Sequence, residues 1–254
     1  MENMENQVAV HQSATEFTVG SVLSKTWSTL MKNPILFVGL TLMGLVPATI
    51  ITIVLLMLMA SSGSGSAIFI AVIVLIITGA LTLVFQAAVC YGVFLVLRNE
   101  KTSFGHILAR SLSSVITLVL LAIAIGIATG VGIMLFVIPG LIIMTMVAVA
   151  VPVCVVEKKG VFASINRSTE LSKGYRLKIF ALVLIVGIVI WLINNVVSSL
   201  VVSIVPSSVI AMIIVMIIVA IPQTYSNVMA SIMYYDLRNV KEGVSVDSLA
   251  QVFD

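Results

Sequence analysis

The sequence predicts an all-α, polytopic membrane protein: six transmembrane helices arranged as three hairpins, each preceded by an amphipathic helix lying on the membrane. Three observations predict it. First, 61% of the 254 residues are hydrophobic and only 9% are charged, whereas soluble domains carry about 25% charged residues. So few charges would not cover a soluble fold of this size. Second, three long stretches, 33–97, 111–156 and 179–235, contain no Asp, Glu, Lys or Arg. Third, each stretch is interrupted near its middle by residues that favour turns.

One helical crossing of a hydrocarbon core needs roughly 20 residues, so each uncharged stretch is too long for one span and suits two. The six Ser and Gly residues of 61–66 interrupt the first stretch, Pro139-Gly140 the second, and 203–208, with Pro206, the third. The spans are predicted at 34–60, 67–97, 112–135, 140–156, 178–203 and 208–235. All 13 Lys and Arg residues lie outside the three stretches. A hairpin returns to the side it left, so the charged connections share one membrane face. Basic residues near span ends are retained in the cytoplasm, which places both termini there. Residues 1–16 are polar, with no basic region followed by an apolar core, and are expected to be a flexible cytoplasmic N-terminus rather than a signal peptide. Residues 17–239 form one membrane domain, with units of about 17–99, 102–157 and 160–239, and 240–254 a cytoplasmic tail.

The segments before the hairpins resemble one another. Residues 21–26 (SVLSKT), 106–111 (HILARS) and 163–168 (ASINRS) share an aliphatic residue, a small or polar one, a basic one and a hydroxyl. Their recurrence at one place in each hairpin predicts a unit used three times. Units of the same topology are related by an axis along the membrane normal. Each segment is also amphipathic. In the first, Phe17, Val19, Val22, Leu23, Trp27, Leu30 and Met31 follow the spacing of one helical face. In the second, Phe104, Ile107, Leu108 and Leu112 stand against His106 and Arg110. In the third, Val161, Phe162 and Ile165 stand against Asn166, Arg167, Glu170 and Lys173. Such helices beside a span lie in the interface with the apolar face down. Their basic residues and those at the adjoining junctions, Lys25, Lys32, Lys101, Arg110, Arg167, Lys173, Arg176 and Lys178, are candidate contacts for anionic lipid headgroups.

Within the spans the polar residues are neutral. Gln86 lies twelve residues before Arg98, about 18 Å along a helix. Gln223 stands at a similar depth before Asp236, with Asn227 one turn away on the same face. Asn194 and Asn195 fall toward the far side of the fifth span. An amide in hydrocarbon needs a partner, so these residues either pair between helices or line a polar cavity. Ala122, Gly126 and Gly130 form a small-residue stripe that predicts close helix packing. Apart from Lys178, the first residue of the fifth, no Asp, Glu, Lys, Arg or His lies within a predicted span, which argues against proton relays and voltage sensing.

His11 and His106 have no second ligand at metal spacing. Cys90 and Cys154, inside apolar runs, offer neither a disulfide framework nor a CxxC site. With no nucleophile–base pair, the chain is not expected to be an enzyme, to hold a cofactor or to bind nucleic acid.

Residues 151–178 (VPVCVVEKKGVFASINRSTELSKGYRLK), with Arg167-Ser168 and Lys173-Gly174, and the ending Tyr234-Tyr235-Asp236-Leu237-Arg238 followed by Lys241-Glu242-Gly243, carry a family likeness. From about Phe17 onward the chain resembles the membrane domain of the glycerophosphoryl diester phosphodiesterase membrane-domain type of bacterial inner-membrane proteins. The resemblance implies a multi-pass protein of the bacterial inner membrane with a connection to lipid. In that family the membrane domain can be fused to a phosphodiesterase domain. This sequence ends shortly after the last span, so the expectation is a membrane domain without the catalytic one. The expected function is lipid-associated membrane organisation or scaffolding through the cytoplasmic interfacial helices. The alternative is a passive channel, or a protein translocating lipid or small molecules, that uses the neutral polar residues. Membrane lipids are the expected partners, and a homo-oligomer or protein partner stays open.

Overall fold

The computed structural model describes residues 17–61, 64–98, 100, 104–112, 114–205 and 208–243. The described chain is helical, without a strand. In order, the helices are α1 (Val19–Lys32), α2 (Pro34–Ser61), α3 (Ser64–Leu97), α4 (Phe104–Leu112), α5 (Val115–Leu135), α6 (Val137–Val147), α7 (Ala150–Glu157), α8 (Val161–Ser172) and α9 (Arg176–Leu192). A widened π turn (Ile193–Val197) leads into α10 (Ser198–Ile204), and α11 (Ser208–Glu242) completes the chain. Six segments are long and apolar enough to cross a membrane: Pro34–Met59, Phe69–Leu97, Val115–Leu135, Ile138–Glu157, Arg176–Ile204 and Val209–Glu242.

Three boundaries depart from expectation. The reversal in the second apolar stretch occurs at Phe136, whose backbone is extended (φ −161°, ψ 147°), and not at Pro139-Gly140. Those two residues sit in the first turn of α6, where a proline lacks no hydrogen bond that the helix would have made. The fourth span is two helices, because the α-helix is interrupted at Ala148 and Val149. The carbonyl of Met146, in the last turn of α6, accepts from the hydroxyl of Ser168 at 2.7 Å. A side chain from α8 thereby satisfies one of the carbonyls that a helix end orphans. The last helix runs seven residues beyond the predicted 235. Its extra turns carry Asp236, Arg238, Lys241 and Glu242.

Glycines set the closest helix approaches. A Cβ at Gly44 of α2 would lie 2.8 Å from the Cβ of Phe85 in α3, and one at Gly92 of α3 would lie 3.3 Å from the ring of Phe37 in α2. As the first partner advances from 37 to 44 the second retreats from 92 to 85, so α2 and α3 lie antiparallel. Gly132 and Gly140 make the corresponding approach between α5 and α6, where a Cβ at Gly132 would lie 3.0 Å from the Cα of Gly140. Of the expected packing stripe, Ala122 is half-buried, while the two glycines meet no other helix within the chain. Gly126 and Gly130 are exposed, and a Cβ at either meets nothing within 4 Å. The reversal at Phe136 brings Gly132, rather than Gly130, against the next helix.

The packed core gathers at the charged end of the bundle. Phe37 and Leu40 of α2, Ala88, Val89, Val93 and Phe94 of α3, and Val228, Ile232, Met233, Tyr234 and Leu237 of α11 are buried together. Helix α7 is buried along its length, from Ala150 to Val156. Toward the other end, Val54, Met57, Phe69, Ile73, Ile127, Met134, Leu200 and Ile213 are exposed. An apolar surface of this extent is the face that a lipid environment covers.

The short helices α1, α4 and α8 seat against this core with the same periodicity. Val22, Ile107 and Ser164 are buried, and so, one turn on, are Thr26, Ser111 and Ser168, while Ser24, Ala109 and Asn166 are exposed. The expected apolar face of α1 is thus divided. Val22 and Leu30 turn inward beside Thr26 and Thr29, whereas Trp27 and Met31 are exposed. Small hydroxyl side chains allow close seating because each bonds its own helix, as Thr26 does to Val22 O at 2.7 Å and Ser111 to Ile107 O at 2.8 Å. Phe17 anchors the start of α1: it is buried, stacks edge-on against Tyr175 with ring centroids 5.4 Å apart, and its carbonyl accepts from Lys178 Nζ at 2.9 Å. Gly174, at φ +90°, makes the tight passage from α8 to α9, a backbone conformation that a Cβ disfavours.

Gly44→Leu forces side-chain atoms into Phe85 and is expected to cost about 1–3 kcal/mol, read as a lowered unfolding temperature in detergent. Gly126→Leu is expected to leave that temperature unchanged. Equal shifts from both would show that the α2–α3 approach does not limit stability.

Candidate functional site

Two polar groupings stand out, one within the spans and one at their charged ends. The first lies among α2, α3 and α11. Thr41, Gly44 and Leu45 of α2, Thr82, Phe85 and Gln86 of α3, and Gln223 and Asn227 of α11 line a cavity of about 260 Å³. Gln223 and Asn227 share a face because they are four residues apart on one helix. Among the described residues, no hydrogen bond joins the side chains of Gln86, Gln223 or Asn227 to another protein group, so their amides face the cavity unpaired. Below them a hydroxyl pair closes the wall: Thr224 donates to Thr41 Oγ1 at 2.9 Å, and Thr41 donates to Phe37 O at 3.0 Å.

Prolines flank this layer. Pro47 lies inside α2 and Pro222 inside α11. Each removes an N–H donor, leaving the carbonyls of Met43 and Ile218 without their usual intrahelical partner. The cavity wall itself combines side-chain amides and hydroxyls with apolar groups, and carries no formal charge.

Asn194 and Asn195 do not join this group. They lie in the π turn of the fifth span, where Asn195 Nδ2 donates to Trp191 O at 2.9 Å and Asn194 Oδ1 is buried without a partner. One extra residue per turn widens the helix there, and an asparagine amide can bond the loosened backbone locally. The amides of the spans therefore divide between the lining of one cavity and a separate local feature.

The second grouping ties α7, α8 and α11 together. Glu157, at the end of α7, accepts from Arg167 Nε at 3.2 Å, from the Tyr234 hydroxyl at 3.1 Å and from Lys159 Nζ at 2.6 Å. Arg167 also pairs with Glu242, which Arg238 Nε reaches at 2.9 Å, and Arg238 Nη1 donates to the Tyr234 hydroxyl at 3.1 Å. Tyr234 is fully buried, and its ring meets Phe94 edge-on at 5.9 Å. Partial burial alone would lower the Arg167 pKa, but Glu242 and Glu157 outweigh it and hold the pKa above its ordinary value. Arg167 is thus a permanent cation locked to two carboxylates.

A separate pair joins α1 to α11. Lys25 Nζ contacts Asp236 Oδ1 at 2.8 Å, and Asp236 Oδ2 is buried without a partner. Several of the candidate headgroup residues are therefore already engaged within the protein. Lys25 and Arg167 neutralise its carboxylates, and Lys178 is occupied by the Phe17 carbonyl and the Tyr175 ring, 5.7 Å from its centroid. Lys32 and Lys173 are exposed, and Arg176 is half-buried with its Nε unpartnered. Lys101 lies outside the described residues, and of Arg110 only the backbone is described. Among the described residues, no group of three His, Cys, Asp or Glu side chains is arranged to hold a metal ion.

Sequence reasoning singled out Gln86, Gln223 and Asn227 but missed Thr41, Thr82, Glu157, Tyr234, Asp236 and Glu242. A threonine in an apolar helix bonds its own backbone so readily that it signals nothing by itself. The carboxylates stood just past the apolar runs, where charges are ordinary.

Lys25→Met leaves Asp236, 4% exposed at its side chain, without its cation. Losing one member of a buried pair costs about 3–5 kcal/mol. Lys25 is 44% exposed, so about 2 kcal/mol is expected here once solvent screening is allowed for. Asp236→Asn in the same chain is expected to restore most of the loss. Unfolding in detergent across the double-mutant cycle measures it, and additive losses would show that the two groups are not coupled.

No family model, curated protein or solved structure matches the chain.

Proposed function

We propose that this chain is a non-catalytic membrane protein whose uncharged polar cavity admits a small neutral polar molecule and lets it pass part or all of the way across the bilayer. The observation that carries the reading is the convergence of the Gln86, Gln223 and Asn227 amides on one cavity of about 260 Å³ without protein partners. Amides meant only to glue helices would bond one another, because an unsatisfied polar group in hydrocarbon costs several kcal/mol. Here they are left to a guest or to water. A wall of donors and acceptors without charge suits hydroxyls and amides. It disfavours ions, which need compensating charge when they leave water.

A second reading is lipid-associated organisation through the short helices. Its support is the exposed Trp27, Met31, Phe104 and Phe162 on α1, α4 and α8, together with the exposed basic side chains of Lys32 and Lys173. Amphipathic residues of this kind anchor a helix at the lipid surface. The shared burial pattern of the three short helices supports reading the chain as one unit used three times. The distribution of the 13 basic residues supports placing both termini in the cytoplasm of a bacterial cell, with the spans in its inner membrane.

Two measurements test these readings. Proteoliposomes of the protein are expected to take up glycerol or urea faster than protein-free vesicles. Gln223→Leu is expected to slow that uptake about tenfold, the effect of losing one buried hydrogen bond of ~1.4 kcal/mol, and Asn195→Leu is expected to leave it unchanged. Wild-type vesicles no faster than empty ones would remove the transport reading. For orientation, Cys90 and Cys154 are replaced and single cysteines are placed at Ser64 or Gly243. Position 64 is expected to react with an impermeant maleimide outside intact cells, and position 243 only after lysis. Outside labelling at 243 would reverse the topology.

A further inference from the structure

A groove of about 280 Å³ runs between α6 and α9. Leu141, Met144 and Thr145 form one side, and Phe180, Leu184, Gly187 and Trp191 are among the residues of the other. Thr145 spends its hydroxyl on Ile142 O at 2.7 Å, so the lining offers almost nothing polar. Gly187 opens the floor, because a Cβ there would meet nothing within 4 Å.

Basic residues stand just beyond the end of this groove that Phe180 marks, the first of them one helical turn before it. Arg176, Phe180, Leu184, Gly187 and Trp191 are spaced by three or four residues and so follow one face of α9. Arg176 is at its charged end, and its Nε is buried without a hydrogen-bond partner. Lys173 stands three residues earlier and is exposed. Lys241 of α11 comes from the other side, its Nζ donating to Glu170 O, and it lies close enough to feel the charges of Lys173, Arg167 and Arg176. Arg167 in this group is already balanced by Glu157 and Glu242. Lys173 and Arg176 enter no ion pair among the described residues. At 1.5 Å per residue the groove begins about 6 Å above Arg176 and ends about 22 Å above it. Half of a hydrocarbon core is about 15 Å thick, so the groove spans the depth that one leaflet's acyl chains occupy.

We propose that this groove is a binding site for one anionic glycerophospholipid, with an acyl chain lying between α6 and α9 and the phosphate held by Arg176 with Lys173 and Lys241. The apolar lining and the unpartnered guanidinium each need an occupant, and a phospholipid satisfies both at the observed separation. A guanidinium with a free donor suits a phosphate oxygen, since charge-assisted bonds of this kind are stronger than neutral ones. The site is separate from the polar cavity among α2, α3 and α11 and stands whether or not that cavity carries solute.

Tryptophan fluorescence reads the site directly, because Trp27 and Trp191 are the two tryptophans of the chain. In a Trp27→Phe background Trp191 alone reports the groove, and bromine atoms in the outer half of an acyl chain quench it on contact. The full-length protein is reconstituted in phosphatidylcholine bilayers containing increasing fractions of brominated phosphatidylglycerol or brominated phosphatidylcholine. Brominated phosphatidylglycerol is expected to quench at lower mole fraction. Arg176→Gln is expected to lose about fivefold of that preference, the effect of one basic residue near a lipid surface, and Arg176→Lys to keep most of it. Gly187→Leu fills the floor and is expected to reduce quenching by both lipids, whereas Lys158→Gln, an exposed basic change elsewhere, leaves the preference intact. Glycerol phosphate added in water is expected not to displace the brominated lipid, since it lacks the chain. Equal quenching by the two lipids, or a preference untouched by Arg176→Gln, would reduce the groove to ordinary lipid contact and overturn the proposal. A Trp191 shielded from both lipids would overturn it as well, by showing that a second copy covers the groove.

Discussion

Hydrocarbon supplies no hydrogen-bond partner, and the rest of this structure follows from that constraint. Each span meets it by closing its own backbone bonds in a helix. Where a helix is interrupted, something on the protein must take over. Ser168 reaches the carbonyl of Met146 at the break between α6 and α7, and Asn195 bonds the backbone at the π turn. Threonines along α2 and α3 bond the carbonyl one turn back, as Thr49, Thr52 and Thr78 do. Among the described residues the buried polar atoms left without a partner, on Thr129, Arg176, Asn194 and Asp236, are scattered, whereas Gln86, Gln223 and Asn227 gather on one cavity.

The same constraint explains why the core gathers at one end. In lipid the apolar halves of the helices gain little by packing on one another, because acyl chains are as apolar as leucine. Ile73, Ile127 and Leu200 accordingly stay exposed. At the charged end the spans meet water and headgroups, and polar contacts between helices become worth making. There α1, α4 and α8 seat their buried hydroxyl faces, Tyr234 is enclosed, and Glu157 and Glu242 bind Arg167 and Arg238. The network crosses from α7 through α8 to α11, holding together helices far apart in sequence.

The cavity and the lipid groove draw on different parts of this plan. The cavity lies among α2, α3 and α11, beside the close approach at Gly44. The groove lies outside the core, between α6 and α9. One is walled in part by neutral donors and acceptors and the other almost wholly by apolar side chains, so the two differ in character.

The sequence by itself determined that the chain is helical, that it has six segments able to span a membrane, and that its charges lie outside the apolar stretches. These are properties of residue type and spacing, and hydropathy over twenty residues leaves few alternatives. It also placed Gln86, Gln223 and Asn227 at one depth, since depth follows from counting residues along a helix. Tertiary structure alone decided which side chains at that depth face one another. It brought Thr41 and Thr82 to the amides, left Asn194 and Asn195 apart, and turned Gly126 and Gly130 outward. It also decided which charges are free: nothing in the sequence pairs Lys25 with Asp236 or Arg167 with Glu157 and Glu242. Rotation of a helix about its axis and the partner it meets depend on contacts between residues distant in sequence, and local composition carries no record of them.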